Sequence, residues 1–145
     1  MALKYLCLVL CLALFATKAH GYNEYVAYKI SATFFEAYQQ CRLFGGYLAS
    51  IDSAAENARA VTAIKAVGDI NRQWYIGGSD LGKEGTFVWV GLNKRASYLN
   101  FGPSEPNNSN GIENCIAIGS ISGTQWNDIP CSFKAPGFVC TYVRQ

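Results

Sequence analysis

Histidine is nearly missing from this 145-residue chain, whose one copy is His20. It lies in the N-terminal segment that is expected to be removed, and a domain without histidine can build no Ser-His triad, histidine general base or histidine-bearing zinc site. No G-x-S-x-G or other catalytic motif occurs either. Charge is scarce as well: Asp, Glu, Lys and Arg make up 15% of the residues, and the formal net charge is +2. There is no basic field to hold nucleic acid or an anionic membrane. A collagen-like run, a heptad neck and an internal repeat are all absent. Only one long apolar stretch exists, and it lies at the start.

That stretch runs from Tyr5 to Ala16, between a short basic opening at Met1-Ala-Leu-Lys4 and the small residues of Ala19-His20-Gly21. Its length and flanks suit a secretory signal peptide rather than a membrane span of about 20 residues. Residues 1–21 are therefore expected to be removed, leaving 22–145 as one secreted, extracellular domain with no membrane insertion. Lys4, Lys18, His20, Cys7 and Cys11 leave with the segment. Ten basic residues then balance ten acidic ones. Four cysteines remain, Cys41, Cys115, Cys131 and Cys140. An even count in a secreted chain reads as two disulfides, with three pairings open. A four-cysteine zinc site would want a C-x₂-C spacing, which is missing.

Local patterns divide the domain into a helical first half and a β-rich second half. Tyr25 to Ile30 is a short β-prone stretch. Thr33-Phe-Phe-Glu36 and Ser53-Ala-Ala-Glu56 each have the spacing of a capping box. Phe34, Tyr38 and Cys41 then share one helical face, and Gly45-Gly46 stops that helix. Ala54, Ala58, Val61 and Ile64 are the expected buried side of a second helix, ended by Gly68. Tyr47 to Ile51 is an extended link. Trp74-Tyr-Ile-Gly, Phe87-Val-Trp-Val, Cys115-Ile-Ala-Ile and Gly137 to Tyr142 read as strands. Gly91 to Gly111 is long, polar and nearly without strand character, which is where an ordered loop carries a site.

Three pieces in the last third bear the chemistry: Glu105-Pro106-Asn107, Glu113 before Cys115, and Trp126-Asn127-Asp128. They supply three carboxylates and two carboxamides, all hard oxygen donors. Ca²⁺ takes about 6–8 such oxygens in tolerant geometry. Three anions gathered in one place repel one another unless a cation lies among them.

The order of these pieces resembles the C-type lectin-like domain, and the likeness spans nearly the whole of 22–145. It is carried by the Cys41 helix, Trp74-Tyr75-Ile76-Gly77, Glu105-Pro106-Asn107, Glu113-Asn114-Cys115, Trp126-Asn127-Asp128, Cys131 and Phe138-Val139-Cys140. The resemblance implies an α+β fold of two helices, two small antiparallel sheets and a long calcium-binding loop. It implies disulfides Cys41–Cys140 and Cys115–Cys131. Glu105, Asn107, Glu113, Asn127 and Asp128 fall on the family's calcium- and sugar-binding positions, and Pro106 falls on its cis proline. Glu-Pro-Asn goes in this family with mannose, fucose and glucose, whereas galactose binders usually carry Gln-Pro-Asp. Glycans on glycoproteins or cell surfaces are thus the expected partners, with self-association open.

Asp80 and Glu84 fall where some members hold an auxiliary calcium, although Asn108 stands where an acid is frequent. Trp74, Trp89 and Trp126 are expected in the core, and Tyr98 and Phe101 are better placed to touch a glycan. Asn107-Asn108-Ser109 is an N-glycosylation sequon, and a glycan on Asn107 would remove a calcium ligand. It is expected to be skipped. A galactose-binding lectin and a lectin-like fold for sugar-independent protein recognition are the alternatives. A glycosidase pair at Glu105 and Glu113 is set aside, because both are claimed as ligands.

Overall fold

The computed structural model describes residues 21–145. The targeting segment expected over 1–21 lies outside them, apart from Gly21. Strand β1 (Tyr22–Tyr28) pairs antiparallel with the last strand, β8 (Gly137–Arg144), from Tyr22 opposite Arg144 to Tyr28 opposite Phe138. β8 outruns its β-prone pattern, whereas β1 starts before the expected Tyr25 and stops at Tyr28, short of Ile30. Each supplies the other's backbone partners, so the pairing extends past the apolar residues.

Helix α1 (Phe34–Leu43) opens on the Thr33–Glu36 capping box: Glu36 N donates to Thr33 Oγ1 at 3.3 Å and Thr33 N to Glu36 Oε2 at 2.8 Å. It closes in a Schellman arrangement, with Gly46 N donating to Cys41 O and Gly45 N to Arg42 O. Gly45 adopts φ 85°, which a side chain would resist. Phe34, Ala37 and Cys41 are buried, while Tyr38 is only half-buried. The two-residue β2 (Tyr47–Leu48) then joins β8.

Helix α2 (Ala54–Val67) begins at Ser53, whose Oγ accepts from Glu56 N. The second capping box is only half made. Glu56 instead accepts from Asp52 N at 2.6 Å and Asn23 Nδ2 at 2.9 Å, tying the helix to β1. The buried face also differs from expectation: it is Asn57, Ala60, Val61 and Ile64, with Ala54 and Ala58 exposed. The helix rotates toward Asn57 because both ends of that amide find partners. Its Oδ1 accepts from Trp126 Nε1 at 2.8 Å, and its Nδ2 donates to Thr124 O at 3.0 Å.

The remaining strands are β3 (Gln73–Ser79), β4 (Val88–Trp89), β5 (Lys94–Arg95), β6 (Cys115–Gly119) and β7 (Trp126–Ile129). The fold is α+β as expected. Two antiparallel groups, β1-β8-β2 and β3 with β4-β5 and β6-β7, are continuous rather than separate. A short parallel pairing of β3 with β8, Trp74 opposite Gly137, joins them into one mixed sheet.

Two apolar clusters hold the frame. One packs α2 against Trp74, Trp89, Trp126, Ile76, Ile116 and Val139. The other packs α1 against Leu48, Tyr75, Ala117 and Phe138 and contains Cys41, Cys115 and Cys140. Cys41–Cys140 joins α1 to β8, and Cys115–Cys131 joins β6 to the turn after β7. By loop closure alone the long bridge contributes roughly 4–5 kcal/mol and the short one about 3. Among the described residues no helix is long and apolar enough to cross a membrane.

Candidate functional site

Trp126 is the point at which the long loop meets the frame. It is fully buried, and the rings of Trp89, Tyr98 and Phe101 each meet it edge-on at 5.7–5.9 Å between centroids. Its backbone is clasped on both sides, N donating to Asn100 O at 2.8 Å and O accepting from Gly102 N at 2.9 Å. Tyr98 and Phe101 therefore pack on the core with part of each side chain still exposed. Each is an aromatic in a polar loop, and the buried face of Trp126 offers it more apolar contact than water does.

Beyond Gly102 the chain turns repeatedly. Ser104, Asn108, Asn110 and Gly111 all have positive φ, a conformation that Asn and Gly tolerate. The Glu105–Pro106 peptide bond is cis. Asp128 on β7 anchors the turns, since its Oδ1 accepts from Asn107 N at 3.0 Å and its Oδ2 from Asn108 N at 2.7 Å. Asn107 Nδ2 donates to Glu105 Oε1 at 3.1 Å. Ser109 N donates to both Asn107 Oδ1 and Glu113 Oε2 at 3.0 Å, and Glu113 N donates to Asn108 Oδ1 at 3.2 Å.

Glu105, Asn107, Glu113 and Asp128 are thus brought together, and Asn127 adjoins them on β7. The five are not saturated by one another. Glu105 Oε2 and Asn127 Oδ1 are buried oxygens with no hydrogen-bond partner. Burial, then the neighbouring Asp128 and Glu113 carboxylates, push Glu105 up to about 7 from its ordinary 4.5. Unpaired buried oxygens and crowded carboxylates are what a hard cation would relieve. Among the described residues no three His, Cys, Asp or Glu side chains could enclose an ion by themselves. The donor set fits calcium only when the carboxamide oxygens are counted with the carboxylates.

Asp80 and Glu84 are also brought together, beside the first group. Asp80 is 2% exposed, and its Oδ2 accepts from Gly85 N at 2.8 Å. Turned to donate, the Asn114 amide reaches Asp80 Oδ1 at 3.1 Å and Glu84 Oε2 at 3.3 Å. Partial desolvation, then Asp80 and Asp128, raise the Glu84 pKa, and the Asn108 amide opposes the rise. Sequence reasoning treated Asn108 as a lost charge and did not weigh Asn114. Their place between acids from three segments was not visible without the fold.

Cavities of about 560 and 330 Å³ lie over α1 and beside Phe34. The oxygen cluster lines neither of them; within it Asn107 is exposed, Glu105 and Glu113 are half-buried, and Asn127 and Asp128 are buried.

Residues 30–142 match the family described as the Lectin C-type domain. Over 116 residues the chain is 34% identical to perlucin of Haliotis laevigata, covering 79% of this chain and 73% of perlucin. A perlucin-like protein of Mytilus galloprovincialis is 34% identical over 105 residues, which is 72% of this chain and 67% of that one. Among solved structures, the carbohydrate-recognition domain of cow CD23, determined in the presence of GlcNAc2Man3 oligosaccharide, superposes with a TM-score of 0.72 at 27% identity. That match covers 90% of this chain and 98% of the other.

Proposed function

The chain belongs to the C-type lectin domain family, a family of carbohydrate-binding rather than catalytic domains in which some members serve other partners, and from that premise we propose that it is a secreted, calcium-dependent lectin for mannose- and fucose-type sugars. The observation that carries the calcium reading is the pair of unpartnered buried oxygens, Glu105 Oε2 and Asn127 Oδ1, beside Asp128 and Glu113. Glu105, Asn107, Glu113, Asn127 and Asp128 would hold the ion, which supplies open coordination positions for two neighbouring sugar hydroxyls. The protein's own part is hydrogen bonding: Glu105 and Glu113 accept from those hydroxyls, and the Asn107 and Asn127 amides donate to them. Glu105 before Asn107 sets the acceptor first and the donor second, which favours the mannose class over galactose. Asp80 and Glu84, with Asn108 and Asn114, are the place for a second, weaker calcium.

An extracellular location is supported by two disulfides within one small domain. A single shallow site binds one sugar weakly, so useful avidity would come from several copies of the chain or from clustered glycans. The Asn107 sequon bears directly on this reading. Asn107 Nδ2, the atom that would carry a glycan, already donates to Glu105. Occupancy seen in an intact-mass spectrum would argue strongly against sugar binding.

The test is a glycan array with the disulfide-bonded domain, run with calcium and with EDTA. Calcium-dependent signal on mannose- or fucose-terminated glycans is expected. Galactose signal would keep the site and overturn the sugar class. Signal indifferent to EDTA, or none, would move the function to sugar-independent protein recognition.

A further inference from the structure

The chain contains a single Asn-Gly pair, Asn110-Gly111, and it lies among the turns of the site. Asparagine deamidates most readily before glycine, because no Cβ obstructs the glycine nitrogen as it attacks the neighbouring side chain. Asn110 and Gly111 are both exposed. The side chains of Asn107 and Asn108 are engaged by Glu105, Ser109 and Glu113. The Asn110 amide makes no hydrogen bond among the described residues. The backbone supplies a brake. Asn110 is left-handed, at φ 55° and ψ 15°. Gly111 N donates to Asn108 O at 2.8 Å, so the attacking nitrogen is engaged until this turn opens. Two further bonds close the same turn, Ser109 N to Glu113 Oε2 and Glu113 N to Asn108 Oδ1.

We propose that Asn110-Gly111 is a site of self-modification, at which the open turn deamidates and bound calcium delays the event. Gly111 N attacks Asn110 Cγ and loses its proton, the side-chain nitrogen leaves as ammonia, and a succinimide ring forms. Water then opens the ring at one carbonyl or the other, giving aspartate or isoaspartate. Isoaspartate routes the main chain through the side-chain carbons. It lengthens the stretch between Asn108 and Glu113, which the hydrogen bonds above hold closed. Aspartate adds the same charge and leaves the main chain as it was. The delay rests on the calcium reading, since Glu113 is among the residues assigned to the ion. The deamidation does not.

The disulfide-bonded domain is incubated at mildly alkaline pH in EDTA, in calcium and in urea, and peptide mass mapping follows each asparagine. N110G is the control, because glycine keeps the left-handed turn and has no side-chain amide. In EDTA, Asn110 is expected to convert ahead of every other asparagine, and in urea faster still. With calcium at about 100 times its Kd, a turn that opens only after the ion leaves is open about 100-fold less often, and conversion slows to match. Purified isoaspartyl protein should bind calcium roughly 10-fold or more weakly, the usual scale for lost support to a ligand. N110D should not share that fall, and N110G should hold its affinity throughout the incubation. Another asparagine converting first in the folded domain would remove the site. So would an Asn110 still intact in EDTA after the urea sample has converted. Calcium that binds yet leaves the rate unchanged would remove the delay, and an equal fall in N110D would overturn the main-chain account. If the wild type binds no calcium, the proposed function falls, while the rates in EDTA and urea still decide the deamidation.

Discussion

The frame and the loop of this domain are held by different forces. In the frame, β1, β8, α1 and α2 enclose two apolar clusters, and a disulfide ties α1 to β8. From Gly102 to Asn114 almost nothing apolar is buried. The chain there is held by side-chain oxygens receiving backbone N–H groups, in five hydrogen bonds accepted by Asp128, Glu113, Asn107 and Asn108. Apolar burial is indifferent to charge and pH, whereas a loop built on carboxylates is sensitive to both. The domain thus keeps its shape in one half and its responsiveness in the other.

Breaking the frame gives the largest effect. Replacing Cys41 and Cys140 by Ala should lower stability by roughly 4–5 kcal/mol, since the bridge closes a separation of 99 residues. Urea denaturation of the pair variant checks this, and a loss below about 1 kcal/mol would mean that apolar packing alone holds α1 to β8. Breaking the loop should do the reverse. E105Q is expected to weaken calcium binding by more than about 100-fold, because ligand charge sets affinity in such sites. Its melting temperature in EDTA should stay level or rise, since the change removes a carboxylate that the fold disfavours in its charged form.

A smaller effect, felt in both regions, is expected where they join. N57A leaves the Trp126 indole N–H buried without its acceptor, at a cost of about 1–3 kcal/mol. Calcium affinity should fall with it, because Trp126 precedes Asn127 and Asp128 and fixes their strand. Unchanged calcium affinity in a destabilised N57A would show that the loop does not depend on this contact.

The smallest effect is a pH dependence that separates the two states of the loop. Glu105 is raised in the folded protein from 4.5 to about 7. In the calcium-free protein its contribution to stability is therefore present below pH 4.5 and lost as pH rises through about 7. Calcium needs the ionised form, so affinity should move the opposite way, falling as pH drops through the same window. Paired melts with calcium and with EDTA at pH 5 and pH 8 would read both slopes, and parallel slopes would remove Glu105 from the calcium account.

The frame was more legible in the sequence than the loop. The Thr33–Glu36 cap, the Gly45-Gly46 stop and the strands around Trp74 and Cys115 follow from local chemistry, so they can be read locally. β4 and β2 fall inside stretches that read as extended, but each is only two residues long, and β5, also two residues, carries no β-prone pattern at all; their lengths are set by the strands they pair with, which no local pattern records. The face of α2 was misjudged because a buried Asn looks polar until its partners on Trp126 and Thr124 are known. The packing of Tyr98 and Phe101 on Trp126 was likewise hidden, since in a polar loop they carry no local mark of a partner 25 or more residues away. Of the oxygen cluster, the residues were visible, but the hydrogen bonds from Asn107 N and Asn108 N to Asp128 that hold the turns against β7 were not, because they join segments far apart in sequence.

The pairing of β1 with β8 sets Tyr22 across from Arg144, with Glu24 and Arg144 joined by an ion pair. Neighbouring strands lie about 4.7–4.9 Å apart, so the two ends of the domain are within reach of a very short peptide. Head-to-tail ligation would suit this topology, with new ends opened at an exposed turn such as Leu92–Asn93. A circular permutant of this kind would fold around the same clusters. It would also free the seam at Tyr22 and Arg144 from carrying the termini.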